Sequence, residues 1–298
     1  MKTIRDALLE ATQRLEQARL AYGHGTANAL DDAAWLVLHA AGLPPQDLDR
    51  HLEDRLTVQQ DRAARQLVAR RIRTRKPLAY LLNEAWLGPH RFYVDERVIV
   101  PRSFIAELLR GQTTNSERKT TSVVTGISGL SPNSVLDLCT GSGCLAILAA
   151  LRFPDATVDA ADLSDDALAV AKKNVGEYKL GKRVHLLKSD LFRDLRGRRY
   201  DLIVSNPPYV KAASMRTLPD EYRKEPAMAL ASGSDGLDHA RRILADARGH
   251  LNPGGRLMVE IGHNRKALEK GFPRLPFRWP RVAAGTGYVF TLERESLP

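Results

Sequence analysis

The sequence predicts an α/β fold: a parallel sheet with helices on both faces, closed by an antiparallel hairpin and preceded by a small helical N-terminal domain. Three observations predict it. From residue 134 onward, short apolar runs alternate with stretches of helical length and period. Residues 1–76 place their apolar side chains at helical spacing. Residues 277–292 read as two strands rather than as another strand–helix unit.

In the N-terminal region Ile4, Leu8, Leu15 and Leu20, then Ala33, Leu36, Val37 and Ala40, form helical stripes. Asn28 is read as the N-cap of the second helix, and Gly42 followed by Pro44 as its stop. Residues 92–94 and 98–100 flank Asp95, Glu96 and Arg97 and suggest a hairpin ahead of Pro101, after which a helix carries Ile105, Leu108 and Leu109. Residues 111–133, rich in Thr, Ser, Gly and Asn, read as a mobile linker. Strands are expected at 134–138, 157–161, 184–187, 200–204 and 256–261, with helices over 144–153, 165–178 and 236–250. The expected division is a helical domain at 1–85, a hairpin, helix and polar linker at 86–133, and the α/β domain at 134–298.

A hydrophobic share of 43% and a charged share of 27% are ordinary for a soluble globular protein. There is no eighteen-residue apolar run and no secretory signal at the start, so no membrane partner and a cytoplasmic location are expected. Cys139 and Cys144 lie beside a glycine-rich turn and offer neither a disulfide framework nor zinc spacing. The histidines do not cluster, so no metal is expected; His39 and His239 read as ordinary helix residues. A formal charge of +10 favours a polyanionic partner without requiring one. Much of the excess sits in a basic helix at 62–76: Arg62, Arg65, Arg70, Arg71, Arg73, Arg75 and Lys76, with no acidic residue between. It is either a solvated helix face or a contact for RNA, such as ribosomal RNA.

Two motifs carry chemistry. Asp137, Leu138, Cys139, Thr140, Gly141, Ser142 and Gly143 follow the first strand of the α/β region and open its first helix, where glycines allow a ligand close to the backbone. Gly141, Gly143 and Ala146, with Asp162 about twenty residues on, also satisfy a relaxed dinucleotide pattern, so a nicotinamide cofactor is weighed. Asp137 ahead of the glycines could hold the amino group of a methionine moiety, and Asp190 with Leu191 and Phe192 would meet an adenine. Together these favour S-adenosyl-L-methionine.

The second motif, Asn206-Pro207-Pro208-Tyr209, follows the fourth strand. The two prolines remove backbone donors and restrict the chain, so the Asn206 side chain and nearby carbonyls can converge as acceptors, with Tyr209 a flat face beside them. An amide nitrogen is a poor nucleophile because its lone pair is delocalised. Acceptors on both of its N–H groups would orient it and stabilise the positive charge that develops as a methyl arrives. The same site suits an exocyclic amino group on adenine.

With these residues in view, the chain resembles the HemK-type protein-glutamine methyltransferases over nearly its whole length. The resemblance rests on Val100-Pro101-Arg102, residues 137–143, residues 206–209, Glu225-Pro226, Pro253-Gly254-Gly255 and Glu260-Ile261-Gly262. Within the family, residues 92–97, Glu221-Tyr222-Arg223 and Asp235-Gly236-Leu237-Asp238 are similar to the PrmB branch, which methylates a glutamine of the third large-subunit ribosomal protein. Phe104 departs from that branch, where proline is more common. The resemblance implies a Rossmann-like, class I S-adenosylmethionine-dependent methyltransferase sheet. In it, residues 139–143 line the methionine end, Asp162 holds the ribose hydroxyls, and Asp190 and Leu191 bound the adenine. Asn206 and the Pro207 carbonyl accept from the substrate amide, and Tyr209 packs on it. Separately, the N-terminal helices and their basic face are expected to dock the substrate, free or in an assembling large subunit. Four other readings stay open here: a peptide release factor glutamine methyltransferase, a nucleic-acid adenine-N6 methyltransferase, a noncatalytic ribosome-assembly binder, and an NAD-linked dehydrogenase.

Overall fold

The computed structural model describes residues 1–111, 127 and 129–298. Most of the polar segment read as a linker at 111–133 therefore lies outside the described residues. The chain divides into two compact units, one of Met1–Glu96 with Leu218–Glu225, the other of Arg97–Thr217 with Pro226–Pro298.

The first unit contains α1 (Ile4–Gln17), α2 (Ala29–Ala41), α3 (Leu48–His51), α4 (Val58–Thr74) and α5 (Leu78–Leu82), then β1 (Ala85–Leu87) and β2 (His90–Phe92). Thr3 and Thr57 start α1 and α4 with capping boxes completed by Asp6 and Gln60, and Asn28 caps α2 by accepting from Asp31 N–H. Gly42 ends α2 in the left-handed conformation, the stop read from the sequence. Leu8, Leu15, Leu36, Leu38 and Val68 bury the facing stripes of α1, α2 and α4.

Two expectations need correction in this unit. The hairpin pairs β1 with β2, not 92–94 with 98–100, and it turns through Gly88 and Pro89. Gly88 has φ +61°, which a two-residue turn of this kind demands at its first position and which glycine meets without strain. The basic helix is also not one exposed face. Arg71 is 1% exposed and donates to Asp32 at 2.9 Å and to the Ala21 carbonyl at 3.2 Å. Arg65 pairs with Asp61 and Glu10, Arg75 with Glu221, and Lys76 with Glu96. Arg62, Arg70 and Arg73 are exposed, as is Arg65 within its ion pairs.

The second unit begins with α6 (Phe104–Arg110) and continues β3 (Ser134–Leu138), α7 (Cys144–Arg152), β4 (Thr157–Asp162), α8 (Asp165–Glu177), β5 (Val184–Lys188), β6 (Tyr200–Ser205), α9 (Ala212–Met215), α10 (Asp238–Asp246), β7 (Leu251–Glu260), α11 (Arg265–Gly271) and β8 (Val289–Glu293). The strands form one sheet in the order β5-β4-β3-β6-β7-β8, parallel except for β8. This is the predicted parallel sheet with an antiparallel strand closing one edge. Leu136, Leu138, Ile203, Ile243, Leu257 and Phe290 are core residues of this unit. The strands read as short apolar runs because helices cover both faces of a parallel sheet. Of the two strands expected at 277–292, β8 is complete and the other is a single bridge, Arg278 to Thr291. Pro276 and Pro280 bracket that run and lack the N–H groups a longer ladder needs. Among the described residues no helix is long and apolar enough to cross a membrane.

Candidate active site

Strand order reverses at β3: β4 and β5 lie on one side of it, β6 and β7 on the other. Ligands of such sheets bind outside the carboxyl ends of the strands at that switch. Register decides what gathers there. Leu138 pairs with Ala161 in β4 and with Ser205 in β6, so Cys139, Asp162 and Asn206 leave the sheet side by side. Asp162 in turn pairs with Lys188, which is followed by Ser189 and Asp190. A cleft of about 720 Å³, its open mouth included, sits over these ends, within the usual size of small-molecule sites. Cys139, Gly141, Asp162, Asp190, Leu191, Asn206 and Pro208 line it. Asp137, Thr140, Ser142, Gly143, Pro207 and Tyr209 do not belong to its lining.

Asp137 stands behind the glycine loop. It is fully buried, and its Oδ2 accepts from Thr140 Oγ1 at 2.6 Å and from Ala146 N–H at 2.9 Å. It thus ties the loop to the start of α7, and burial pushes its pKa up to about 7 despite those donors. Its Oδ1 is buried and has no hydrogen-bond partner among the described residues. Gly141 (φ +56°) and Gly143 (φ +79°) hold left-handed turns, and a Cβ on Gly143 would stand 3.1 Å from that of Ala171 in α8. Burial pushes the Cys139 and Cys144 thiols well above their ordinary range, so neither is a ready thiolate.

Asp162 accepts from Gly141 N–H at 2.8 Å and from Ser164 N–H at 2.9 Å, each on a different oxygen. Leu163 N–H also acts on this carboxyl, which keeps acceptor capacity for a ligand hydroxyl. Its pKa is raised, chiefly by burial. Asp190 is held by Arg242 at 2.8 Å, which keeps its carboxyl below the usual range. Asn206 lines the cleft and donates through Nδ2 to the Arg102 carbonyl at 3.4 Å, so its Oδ1 is not engaged by that bond. Ser205 anchors the start of that turn on the Leu138 carbonyl at 2.8 Å.

The cleft also contains residues that sequence reasoning missed. Val98 and Ile99 line it from the run misread as a strand, and Pro226, Met228 and Ala229 from the stretch after Glu225. His239, read as an ordinary helix residue, lines it as well. Its Nδ1 is 2.8 Å from Ser232 Oγ, and burial lowers its pKa. Only the Glu225-Pro226 pair had offered a signal. Among the described residues no group of three His, Cys, Asp or Glu side chains is placed to hold a metal.

Residues 120–272 match the methyltransferase small domain, and residues 6–82 match the PrmC N-terminal domain. Over its full length the chain is 49% identical to the ribosomal protein uL3 glutamine methyltransferase of Burkholderia pseudomallei, covering 96% of that protein. It is 50% identical to the proteins of the same name from Neisseria meningitidis serogroup A and Bordetella pertussis, covering 95% and 97% of them. The chain belongs to the uL3 glutamine methyltransferase family. It is an S-adenosylmethionine-dependent enzyme, and the cleft fits that donor. Two carboxylates with open lone pairs stand at adjacent strand ends, a backbone approach is kept clear at Gly141, and apolar surface is offered by Leu191 and Met228.

Proposed function

We propose that this enzyme transfers a methyl group from S-adenosylmethionine to the side-chain amide nitrogen of a glutamine in ribosomal protein uL3. The observation that supports the reading is that Asn206 leaves the sheet beside Cys139 and Asp162 and lines the same cleft with them. When bound, the donor supplies an electrophilic methyl on a sulfonium. Asp162 would accept from the ribose hydroxyls, residues 139–143 would line the methionine end, and Asp190 and Leu191 would bound the adenine. Asn206 Oδ1 and the Pro207 carbonyl would accept from the two N–H groups of the glutamine amide and turn its nitrogen toward the methyl. They would also stabilise the charge that develops, and the surplus proton leaves to water after transfer. Nothing here needs a strong base. Any ribosomal RNA contact of the basic helix falls to the exposed Arg62, Arg70 and Arg73, and the cytoplasm is the compartment this substrate implies.

The test is transfer of labelled methyl from S-adenosylmethionine to purified uL3, to release factor and to RNA, with the modified residue located by mass spectrometry. Label on a uL3 glutamine is the expected result. Label on release factor or RNA alone would overturn the substrate.

A further inference from the structure

Glu260, at the carboxyl end of β7, is 1% exposed and follows the buried run Leu257, Met258 and Val259. A buried carboxylate is costly unless donors surround it. Three are at hand, and they come from different parts of the unit. Oε2 accepts from Ser103 Oγ at 2.7 Å and from Phe104 N–H at 2.9 Å, at the start of α6. Oε1 accepts from the Tyr209 hydroxyl at 3.3 Å. Residues just beyond Glu260 hold the rest of Tyr209. Asn264 Nδ2 donates to its carbonyl at 2.9 Å, and a Cβ on Gly262 would lie 2.8 Å from its ring. Phenol, ring and carbonyl are thus each met by the end of β7 or the turn that follows it. Tyr209 itself lies outside the cleft lining, whereas Asn206 and Pro208, in the same turn, line it.

We propose that Glu260 is a positioning residue for methyl transfer: with one oxygen on the start of α6 and the other on Tyr209, it fixes the turn that aims Asn206. The proposal rests on the assignment of Asn206 as amide acceptor. It distinguishes the tyrosine's hydroxyl from its ring, since the hydroxyl acts on the turn and not on the substrate.

A double-mutant cycle of Glu260→Gln and Tyr209→Phe tests it, with uL3 as substrate and S-adenosylhomocysteine affinity measured by calorimetry. Each single variant should lower kcat about tenfold, the equivalent of one hydrogen bond to a charged group, with KM and cofactor-product affinity changed less than about threefold. The double variant should be no slower than the worse single one. Losses that multiply, or a Glu260→Gln enzyme with unchanged kcat, would overturn the proposal. Amide exchange at Tyr209 and Val210 is the second readout and needs no substrate. It should quicken in Glu260→Gln, and unchanged exchange would also count against the clamp. A wild-type enzyme that leaves uL3 unlabelled while exchange quickens would overturn the substrate and not the clamp.

Discussion

Arg71→Ala removes the partner of a carboxylate that has no access to water. Asp32 is fully buried, and besides Arg71 it accepts from Thr26 Oγ1 at 2.6 Å. Removing one member of a buried ion pair costs about 3–5 kcal/mol, because the remaining charge is left uncompensated in the core. In a unit of this size each 1 kcal/mol moves the melting temperature by about 4–8 °C, so the first unit should melt at least about 12 °C lower. Urea and thermal unfolding followed by circular dichroism measure both quantities. Arg70→Glu, one residue away on the exposed side of α4, should change stability by less than about 0.5 kcal/mol. The paired replacement Asp32→Leu with Arg71→Met should recover most of the loss, since apolar residues of similar volume do not carry the desolvation cost. An Arg71→Ala protein within about 1 kcal/mol of wild type would show that Asp32 does not depend on Arg71 in the core. It would also return Arg71 to the set of surface arginines available to a partner.

Three further outcomes follow from the second unit. Gly236→Ala adds a Cβ 2.4 Å from the Tyr209 carbonyl at a residue with φ +81°, so methyl transfer should fall more than about tenfold while S-adenosylhomocysteine still binds. Asp162→Asn should weaken S-adenosylhomocysteine binding about 10- to 100-fold by calorimetry, through loss of charge-assisted acceptors; unchanged affinity would remove it from the site. Asp137 has a folded pKa raised to about 7 from 3.8, so the native state holds the extra proton between those values. That contribution is full below about pH 4 and is lost as pH rises through 7, at about 1.4 kcal/mol per pH unit between them. Unfolding free energies measured from pH 5 to 8 should lose this slope in Asp137→Asn.

Much of this architecture could be read in the sequence for identifiable reasons. Strands β3, β4 and β6 are short apolar runs because both faces of the sheet are covered there, and Asn28 and Gly42 carry cap chemistry that depends only on local backbone. Residues 206–209 were legible because they directly follow a strand. What failed to show was tertiary. Arg71 looked like one more surface cation, since its burial depends on Asp32, distant in sequence and on another helix. The ties from Asp137 to Thr140 and Ala146 N–H did not show either, because a strand end says nothing about which way a side chain turns. His239 and Met228 reach the cleft from beside quoted motifs, Asp235 to Asp238 and Glu225-Pro226, which say nothing of where those two side chains lie. Residues 218–225 group with the first unit although they interrupt the second, which no composition shift announces.

The account stands or falls on Asn206 as the acceptor that orients the amide. The direct measurement is the single-turnover rate of methyl transfer to uL3 by Asn206→Ala, with S-adenosylhomocysteine affinity determined on the same protein. Loss of one preorganised acceptor should slow transfer by about 10²- to 10³-fold, while affinity changes less than about threefold. A variant that transfers methyl at the wild-type rate, or one whose entire defect is in cofactor affinity, would contradict it.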